Sequence, residues 1–486
     1  MNEPFSRREL LRTAAGTGVA IGLVSGVGTA IGTDPTDSQT TIATNSDWPM
    51  FQHDAHNSGT LDTVGPSEPV EAVWTFETDD SLVAQPIVKD GTVFQASRDS
   101  RIYAVSADTG AEEWSVGTNQ PLVRTPAVAN SIVYVPTRTG RILGLSVGTG
   151  SGQWVNDTGV DAPSTVTVTG EGVVFAETDD AADHVYVLDP ATGDRQSRFE
   201  IPDAFEFSLP TIADGRAYVY CRSPENGRHL LAAHTLSDGA ESWRTRLTGD
   251  AYDDTNASSG TTYADYDGGT VFVGDGSGVL ESRDAATGEQ NWQFSNLGEI
   301  DTVPTFADDT LYVTTEEPAL YAIDPSIGTE QWRVDLDGSP TSPVVADDMI
   351  YLGTGANSVY GFDAQSSEQR WRFETGNDVV VPPVVLDGTV YVASTDGSLY
   401  ALREEGAISP GDVTGDGAPA RDLDEDGLYE DVNGDGAFTV IDVQALFANL
   451  DSDVVQNNVS KFDFNGDGEV DIADIQALYA RLQEGE

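Results

Sequence analysis

The sequence predicts an all-β eight-bladed propeller followed by a small α-helical domain, and three observations lead there. Large aromatic residues recur through the middle of the 486-residue chain. Trp74, Trp114, Trp154, Phe199, Trp243, Trp292, Trp332 and Trp371 are spaced 40, 40, 45, 44, 49, 40 and 39 residues apart. Ahead of each of the last seven stands a version of one phrase, such as Tyr103-Ala104-Val105 with Asp108-Thr109-Gly110, or Tyr321-Ala322-Ile323-Asp324 before Trp332. From Gly411 onward the repeat gives way to Asp-rich loops, each followed by helical periodicity. Repeats of this length mark stacked supersecondary units that cannot bury their faces alone.

Each unit offers four short strands. The aromatic is followed by a Pro-Val-like strand, a tight turn and a strand such as Val390-Tyr391-Val392. Asp90-Gly91, Asp214-Gly215 and Asp387-Gly388 supply hairpin turns that need positive φ. A ring of such sheets removes the exposed edges that invite aggregation. The last copy, Pro382 to Leu402, has three strands and lacks its aromatic strand. The run Val73-Trp74-Thr75-Phe76 stands before the first complete copy with no sheet of its own. Pairing the two closes the ring between the ends of the chain.

The turn phrase, clearest as Asp284-Ala285-Ala286-Thr287-Gly288 before Trp292, resembles the pyrroloquinoline-quinone repeat family. The opening Trp48-Pro49-Met50-Phe51-Gln52-His53-Asp54 resembles the segment that often precedes such propellers. The resemblance covers about residues 48 to 403 and implies tryptophans docked between blades. It leaves two functional classes open. Quinoprotein dehydrogenases of the family hold the quinone and a calcium ion in the central funnel. Others resemble the propeller of the outer-membrane assembly machine, which binds protein segments without redox chemistry. The soluble alcohol-oxidising members clamp the quinone with adjacent cysteines, whereas this chain has only Cys221. No Glu, Asn and Asp set maps onto the family's metal and base positions, so the expectation is a propeller without bound quinone.

Composition narrows the partners. Eighty-one acidic residues stand against 24 basic ones, a net charge of −57, and Lys89 and Lys461 are the only lysines. Such a surface repels nucleic acid and anionic lipid. Acidic, lysine-poor chains with ordinary hydrophobic patterning resemble proteins of extreme halophiles. Cys221 lies in an apolar strand-like run, which reads as a buried, inert thiol. The five histidines show no metal-binding spacing, and no Gly-x-Ser-x-Gly elbow or phosphate loop is present.

At the N-terminus, Arg7 and Arg8 precede a weakly apolar stretch from Ala14 to Ile31. This resembles a twin-arginine export signal over 1–30, cleaved after small residues or kept as an anchor. Residues 31–47 read as a flexible tether. The expected location is therefore extracellular or at the cell surface.

The irregular spacing of the aromatics traces to three enlarged connections in blades three to five. Asp179 to Asp183 and Ser223 to Gly227 lie between second and third strands. Thr248 to Gly260 lies between one blade's last strand and the next blade's first. Both connection types emerge on one face, and loops on a rigid scaffold are where binding resides. Asn156, Asn256 and Asn458 each head an Asn-x-Ser/Thr sequon.

The C-terminal pattern carries metal chemistry. In the first loop Asp431, Asn433 and Asp435 occupy positions one, three and five, with Gly436 at six, the Ala437 carbonyl at seven, Thr439 at nine and Asp442 at twelve. The second repeats it 32 residues later with Asp463, Asn465, Asp467, Gly468, the Glu469 carbonyl, Asp471 and Asp474. Oxygen ligands at this spacing suit a calcium ion, and glycine at six allows the sharp turn. Apolar-faced helices follow at Val443 to Phe447 and Ile475 to Tyr479. The duplicated loop–helix, without an entering helix, resembles dockerins, an EF-hand-like module whose partners are cohesins. Dockerin loops often carry Ser or Thr at positions ten and eleven. Here Val440-Ile441 and Ile472-Ala473 stand there instead, a departure from the pattern that contacts a standard cohesin. The expected partner is therefore a cohesin-like or other surface protein met by an apolar docking surface. Asp412, Thr414, Asp416, Asp422, Asp424 and Asp426 form partial loops for further calcium within 412–426. The domains expected are thus 1–30, 31–47, 48–403, an acidic linker 404–430 and a calcium module 431–486. The expected function is an exported, non-catalytic binding scaffold. The alternatives are a quinone-dependent dehydrogenase and, by dockerin analogy, an accessory of extracellular polysaccharide breakdown.

Overall fold

The computed structural model describes residues 47–159, 163–177, 184–202, 207–222, 229–248, 264–295, 297–404, 413–414, 420–421, 423, 428–434, 436–450, 452–456, 459–465 and 470–484. Among the described residues eight sheets lie between Thr60 and Glu404, and within each blade consecutive strands pair antiparallel, apart from two pairings that join distant parts of the chain. The first complete blade is Ile87–Lys89, Thr92–Ala96, Arg101–Ser106 and Glu112–Gly117. Its second and third strands are buried nearly throughout, because both faces meet adjoining blades. The fourth strand keeps polar residues exposed at the rim.

The Asp-Gly hairpins adopt the backbone their residues suit. Asp90 and Gly91 have φ of +49° and +75°, and Asp387 and Gly388 have +46° and +73°. The eighth blade is assembled from both ends of the chain. Val70–Glu77 pairs antiparallel with Ser398–Glu404, which continues to Thr389–Ala393 and Val384–Leu386. Where other blades make their third turn, the chain is cut. Glu404 closes the gap by accepting from the Ser67 and Glu68 amides at 2.7 and 3.1 Å.

The tryptophans hold blade to blade. Trp74 Nε1 donates to the Ala107 carbonyl at 2.9 Å, Trp114 to Val147 at 2.7 Å and Trp292 to Pro325 at 2.6 Å, each in the next blade's turn. A Cβ on the turn glycine would overlap the ring; at Gly288 it would lie 2.5 Å from Trp243 Cε3. The Asp-x-x-Thr-Gly-x-x-x-Trp spacing is thus a packing device, and the tryptophans are core residues. In the last such interface Trp371 Nε1 donates to Pro66, which takes the place of the missing turn.

Residues 47–64 thread the central channel as a strap. Trp48 exchanges both backbone hydrogen bonds with Val88 at 2.8 Å. Val128 donates to the Pro49 carbonyl at 2.7 Å, Ile212 to Ala55 at 2.7 Å and Val345 to Gly59 at 2.9 Å. These donors are the middle residues of the innermost strands of blades one, two, four and seven. An innermost strand is an edge whose outward N–H needs a partner, and the strap supplies it. Thr60–Leu61 adds a fifth, parallel strand to Val344–Ala346.

The C-terminal residues have a core of their own, including Val432, Leu446, Val455, Phe462 and Leu478. Helices span Val440–Ala448 and Ile472–Glu484, extending beyond the expected Val443 to Phe447 and Ile475 to Tyr479. Two short helices, Asp453–Gln456 and Val459–Phe462, lead into the second loop. The expectation of no entering helix therefore fails for the second loop, while the residues ahead of the first are only partly described. Among the described residues no helix is long and apolar enough to cross a membrane.

Candidate metal centre and docking face

The two acidic loops close by the same bonds. In the first, Asp442 Oδ1 accepts from the Asn433 amide at 3.1 Å and Oδ2 from the Thr439 amide at 2.8 Å. In the second, Asp474 Oδ1 accepts from Asn465 at 3.1 Å and Oδ2 from Asp471 at 2.8 Å. The twelfth residue thus ties positions three and nine together in each copy. Thr439 also caps the helix it precedes, accepting from Ile441 and completing a capping box with Asp442. Asp431 Oδ2 accepts from the Gly436 amide at 2.7 Å, bending the loop where Gly434 and Gly436 have φ of +71° and +86°.

Asp431, Asp442 and Asp474 are fully buried. Among the described residues no Lys, Arg or His pairs with Asp442 or Asp474. Buried carboxylates without a cation are costly. The donors of these loops are all oxygen, which fits a calcium ion. Asp435, Asp467 and Glu469 lie outside the described residues, as do Arg7, Arg8, Asp412, Asp416, Asp422, Asp424 and Asp426. Among the described residues no three acidic, His or Cys side chains converge as a metal cluster. Of the expected ligands, the first loop thus has all but Asp435 among the described residues, and the second has all but Asp467 and Glu469.

Beside the loops lies an exposed apolar rim. Val440 and Ile441 are 49% and 55% exposed, Ile472 56%, Phe447 61% and Tyr479 46%. Val440 and Ile472 occupy position ten of their copies, and Phe447 and Tyr479 are likewise 32 residues apart. The duplication therefore presents one apolar pattern twice. Glu430 pairs with Arg481 at 3.2 Å and Arg481 covers the Phe464 ring, joining the start of the module to its last helix.

On the propeller, the three enlarged connections fall where the spacing places them. Residues 178–183 and 223–228 join second to third strands, and 249–263 join a fourth strand to the next first strand. The loops themselves, with Asn256 and, in the C-terminal module, Asn458, lie outside the described residues. The root of the longest one is held by a buried ion pair. Glu281 Oε1 accepts from the Thr248 amide and hydroxyl at 2.6 Å, while Arg283 Nη2 lies 2.5 Å from Glu281 Oε2. On the same face, burial and the neighbouring Glu316 and Glu299 push the Asp301 carboxyl up to about 6. Asn156 donates its amide to the Gly193 carbonyl of the next blade at 2.5 Å, so this sequon is committed to packing. Cys221 is buried and its thiol is pushed up to about 12 by desolvation.

The strap is what sequence reasoning missed; the Trp48-to-Asp54 resemblance marked its place without its role. It also orients the chain. Asp47 is held by Lys89 Nζ at 2.5 Å and by the Asp90 amide at 3.0 Å, beside an Asp-Gly hairpin. Glu404 ends the third strand of its blade, where other blades turn into their fourth. The chain thus enters and leaves the propeller on one face, opposite the enlarged connections.

The sequence and the fold have known relatives. A family model described as outer membrane protein assembly factor BamB matches residues 70–204, 228–344 and 319–409, more than half of the chain. A dockerin type I domain model matches residues 429–483. The outer membrane protein assembly factor BamB of Yersinia pestis is 26% identical over 196 residues, 36% of this chain and 49% of that protein. The chain thus spans about half the length of that curated relative. Among solved structures, BamB from Moraxella catarrhalis superposes with a TM-score of 0.56 at 17% identity, over 69% of this chain and 99% of its own. Quinohemoprotein alcohol dehydrogenase from Comamonas testosteroni gives 0.61 at 15% identity, over 75% and 81%. At these identities the likeness shows the fold alone. With eight sheets closed by a strand from each end, and with most of its length matched, the chain belongs to the pyrroloquinoline-quinone-repeat propeller family, to which BamB belongs, and carries a dockerin type I domain at its C-terminus.

Proposed function

We propose that this protein is an exported, non-catalytic binding scaffold whose dockerin domain docks a cohesin-type partner in a calcium-dependent manner. Dockerin type I domains bind calcium, and the spacing of oxygen-bearing residues in the sequence of each loop supports one ion per loop. One ion is assigned to Asp431, Asn433, Asp435, the Ala437 carbonyl, Thr439 and Asp442. The other is assigned to Asp463, Asn465, Asp467, the Glu469 carbonyl, Asp471 and Asp474. The observation that carries the reading is the apolar rim, Val440, Ile441 and Phe447 in one copy and Ile472 and Tyr479 in the other, exposed beside loops that calcium would stiffen. Exposed aromatics flanked by aliphatic side chains make anchors for a protein interface.

The domain boundaries 1–30, 31–47, 48–403, 404–430 and 431–486 belong to the same proposal, with export through the Arg7-Arg8 signal and residence outside the cell. Entry and exit of the chain on one propeller face leave the face with the enlarged connections free for a second ligand.

The test is binding of recombinant type I cohesins to the full chain, in calcium and then in chelator. Phe447→Ala with Tyr479→Ala should cost about 2 kcal/mol or more of binding. Absence of binding, or binding indifferent to both chelator and the double substitution, refutes the docking assignment. Incubation with quinone and calcium should give no alcohol- or sugar-dependent dye reduction; its appearance would replace this reading with a dehydrogenase.

A further inference from the structure

The charge of this chain is unevenly spread, and at the second blade the acids stop. Of 486 residues 81 are acidic, yet none lies between Glu113 and Asp157, and no other acid-free stretch of the chain is as long. The same stretch holds Arg124, Arg138 and Arg141. It takes in the whole second blade, Ala127–Ala129, Ile132–Pro136, Arg141–Ser146 and Gly152–Asp157, up to the last residue of the fourth strand. The rim strand that carries Glu112 and Glu113 in blade one carries Gly152 and Gln153 here, with Val155 59% exposed. The turn Val147-Gly148-Thr149-Gly150 likewise lacks the aspartate of Ala107-Asp108-Thr109-Gly110.

The fold gathers the arginines on the face that bears the enlarged connections. Arg98 and Arg138 hold the same place in the turn between second and third strands, in Ser97-Arg98-Asp99 and Thr137-Arg138-Thr139. Arg124 lies on the connection from blade one to blade two, which bridges these turns. Its Leu122 amide donates to the Ser97 carbonyl at 3.0 Å, and Gln120 Oε1 accepts from the Thr139 hydroxyl at 2.7 Å. Arg98 and Arg138 are exposed, and among the described residues neither forms an ion pair. By contrast Arg244, Arg283, Arg333, Arg370 and Arg481 each meet a carboxylate. Arg141 stands 3.8 Å from Asp157, the first acid beyond the stretch. Asp99 is spent within its own turn, accepting from the Arg101 amide at 2.9 Å and the Tyr103 hydroxyl at 2.6 Å. Asp79 and Asp80 bound the patch beside Ser81, whose carbonyl accepts from the Arg98 amide at 3.2 Å.

We infer that this face of blades one and two docks an acidic polypeptide segment, clamped by Arg98, Arg124 and Arg138. The inference names a ligand class for the free face of the propeller and rests on the scaffold reading. Guanidinium forks bind carboxylates through two parallel hydrogen bonds, and an exposed arginine without an internal partner is available for one. The rest of the surface repels an acidic partner, but at about 0.15 M salt charges beyond about 8 Å are largely screened. The arginines in contact then outweigh the distant acids. The apolar side chains decide between a polypeptide and an acidic sugar polymer. Exposed large hydrophobics described on the propeller are Val64, Val155, Ile327 and Val380, with no aromatic face for a sugar ring to stack on. Val155, on the rim of the acid-free blade, suits the aliphatic part of a peptide.

Fluorescence anisotropy of labelled poly-L-glutamate, titrated with the full chain at about 0.15 M KCl, tests the assignment. Chelator is present throughout, so calcium-dependent docking of the C-terminal domain plays no part, and its failure elsewhere would leave this result unchanged. Saturable binding is expected. Arg98→Gln with Arg138→Gln should weaken it about tenfold or more, because two charge-assisted contacts are lost. Arg333→Gln with Arg370→Gln removes the same charge outside the patch and should change it less than about twofold. Thr139→Asp writes the blade-one residue into the blade-two turn and should also weaken binding. All variants should keep the β circular dichroism of the parent. Absence of saturable binding, or an equal loss in both arginine pairs, overturns the proposal. Polygalacturonate competing as well as unlabelled poly-L-glutamate would overturn the choice of a polypeptide.

Discussion

Gly91 and Gly288 share nearly the same backbone angle, φ of +75° and +73°, but opposite surroundings. Nothing lies within 4 Å of a Cβ built on Gly91, whereas on Gly288 it would meet Trp243 at 2.5 Å. Gly91→Ala should cost only the left-handed penalty, about 1–2 kcal/mol. Gly288→Ala adds an overpacked tryptophan and should cost about 1–3 kcal/mol more, measured by denaturant unfolding. Both glycines end similar Asp-containing turns in the sequence, so only the neighbouring blade separates them. Asp301 makes a second residue-scale prediction. Its carboxyl is raised from 3.8 to about 6, mainly by burial and then by Glu316. Between those values the unfolded chain has released the proton while the native protein retains it. Its contribution to stability therefore falls as pH rises through the window. Asp301→Asn should be more stable than the parent above pH 6 and lose that advantage below pH 3.8, in thermal melts across the range.

At the scale of elements, the calcium module folds on a small core with short helices. Val440–Ala448 is nine residues long and marginal by itself. Each loop gathers several carboxylates whose repulsion opposes folding until a cation is bound, so binding energy becomes folding energy. The isolated segment 411–486 should gain helical circular dichroism on adding calcium and lose it with chelator. Asp431→Ala with Asp463→Ala should abolish the gain while the propeller of the full chain keeps its β signal. A segment equally helical in both conditions would remove calcium from the account. The blades tolerate changes of residue type where geometry is kept. Ser367 at φ +60° stands where other turns have glycine, and Phe199 replaces one tryptophan.

For the whole molecule the governing quantity is a net charge of −57. With 24 basic against 81 acidic residues, arginine partners offset only part of it, in pairs such as Glu68–Arg370 at 2.9 Å. The screening length falls from about 10 Å at 0.1 M salt to about 3 Å at 1 M. The melting temperature should therefore rise clearly between about 0.1 M and 2 M KCl, and a melt indifferent to salt would refute the repulsion account. Ring closure acts at the same scale. Val70–Glu77 and the strap bind the first residues of the propeller to its first and last blades, so the sheets are held as one closed ring.

Local rules were enough for the repeat, the turn types, the blade count and the spacing of the two acidic loops. Each depends on neighbours in sequence: alternation within a strand, a left-handed Asp-Gly pair, oxygens at fixed steps along a loop. The strap depends on bonds from Trp48, Pro49, Ala55 and Gly59 to strands as far away as Val345, and no local periodicity encodes such a path. The buried pair Glu281–Arg283 was hidden for the same reason, since its value lies in holding Thr248 of the preceding blade. The exposure of Phe447 and Tyr479 was equally illegible, because helical spacing shows that a face is apolar but not whether the fold covers it. The sequence by itself determined which strands and loops exist. The tertiary structure decided what fills the channel and which apolar face stays open, because both depend on contacts between segments distant along the chain.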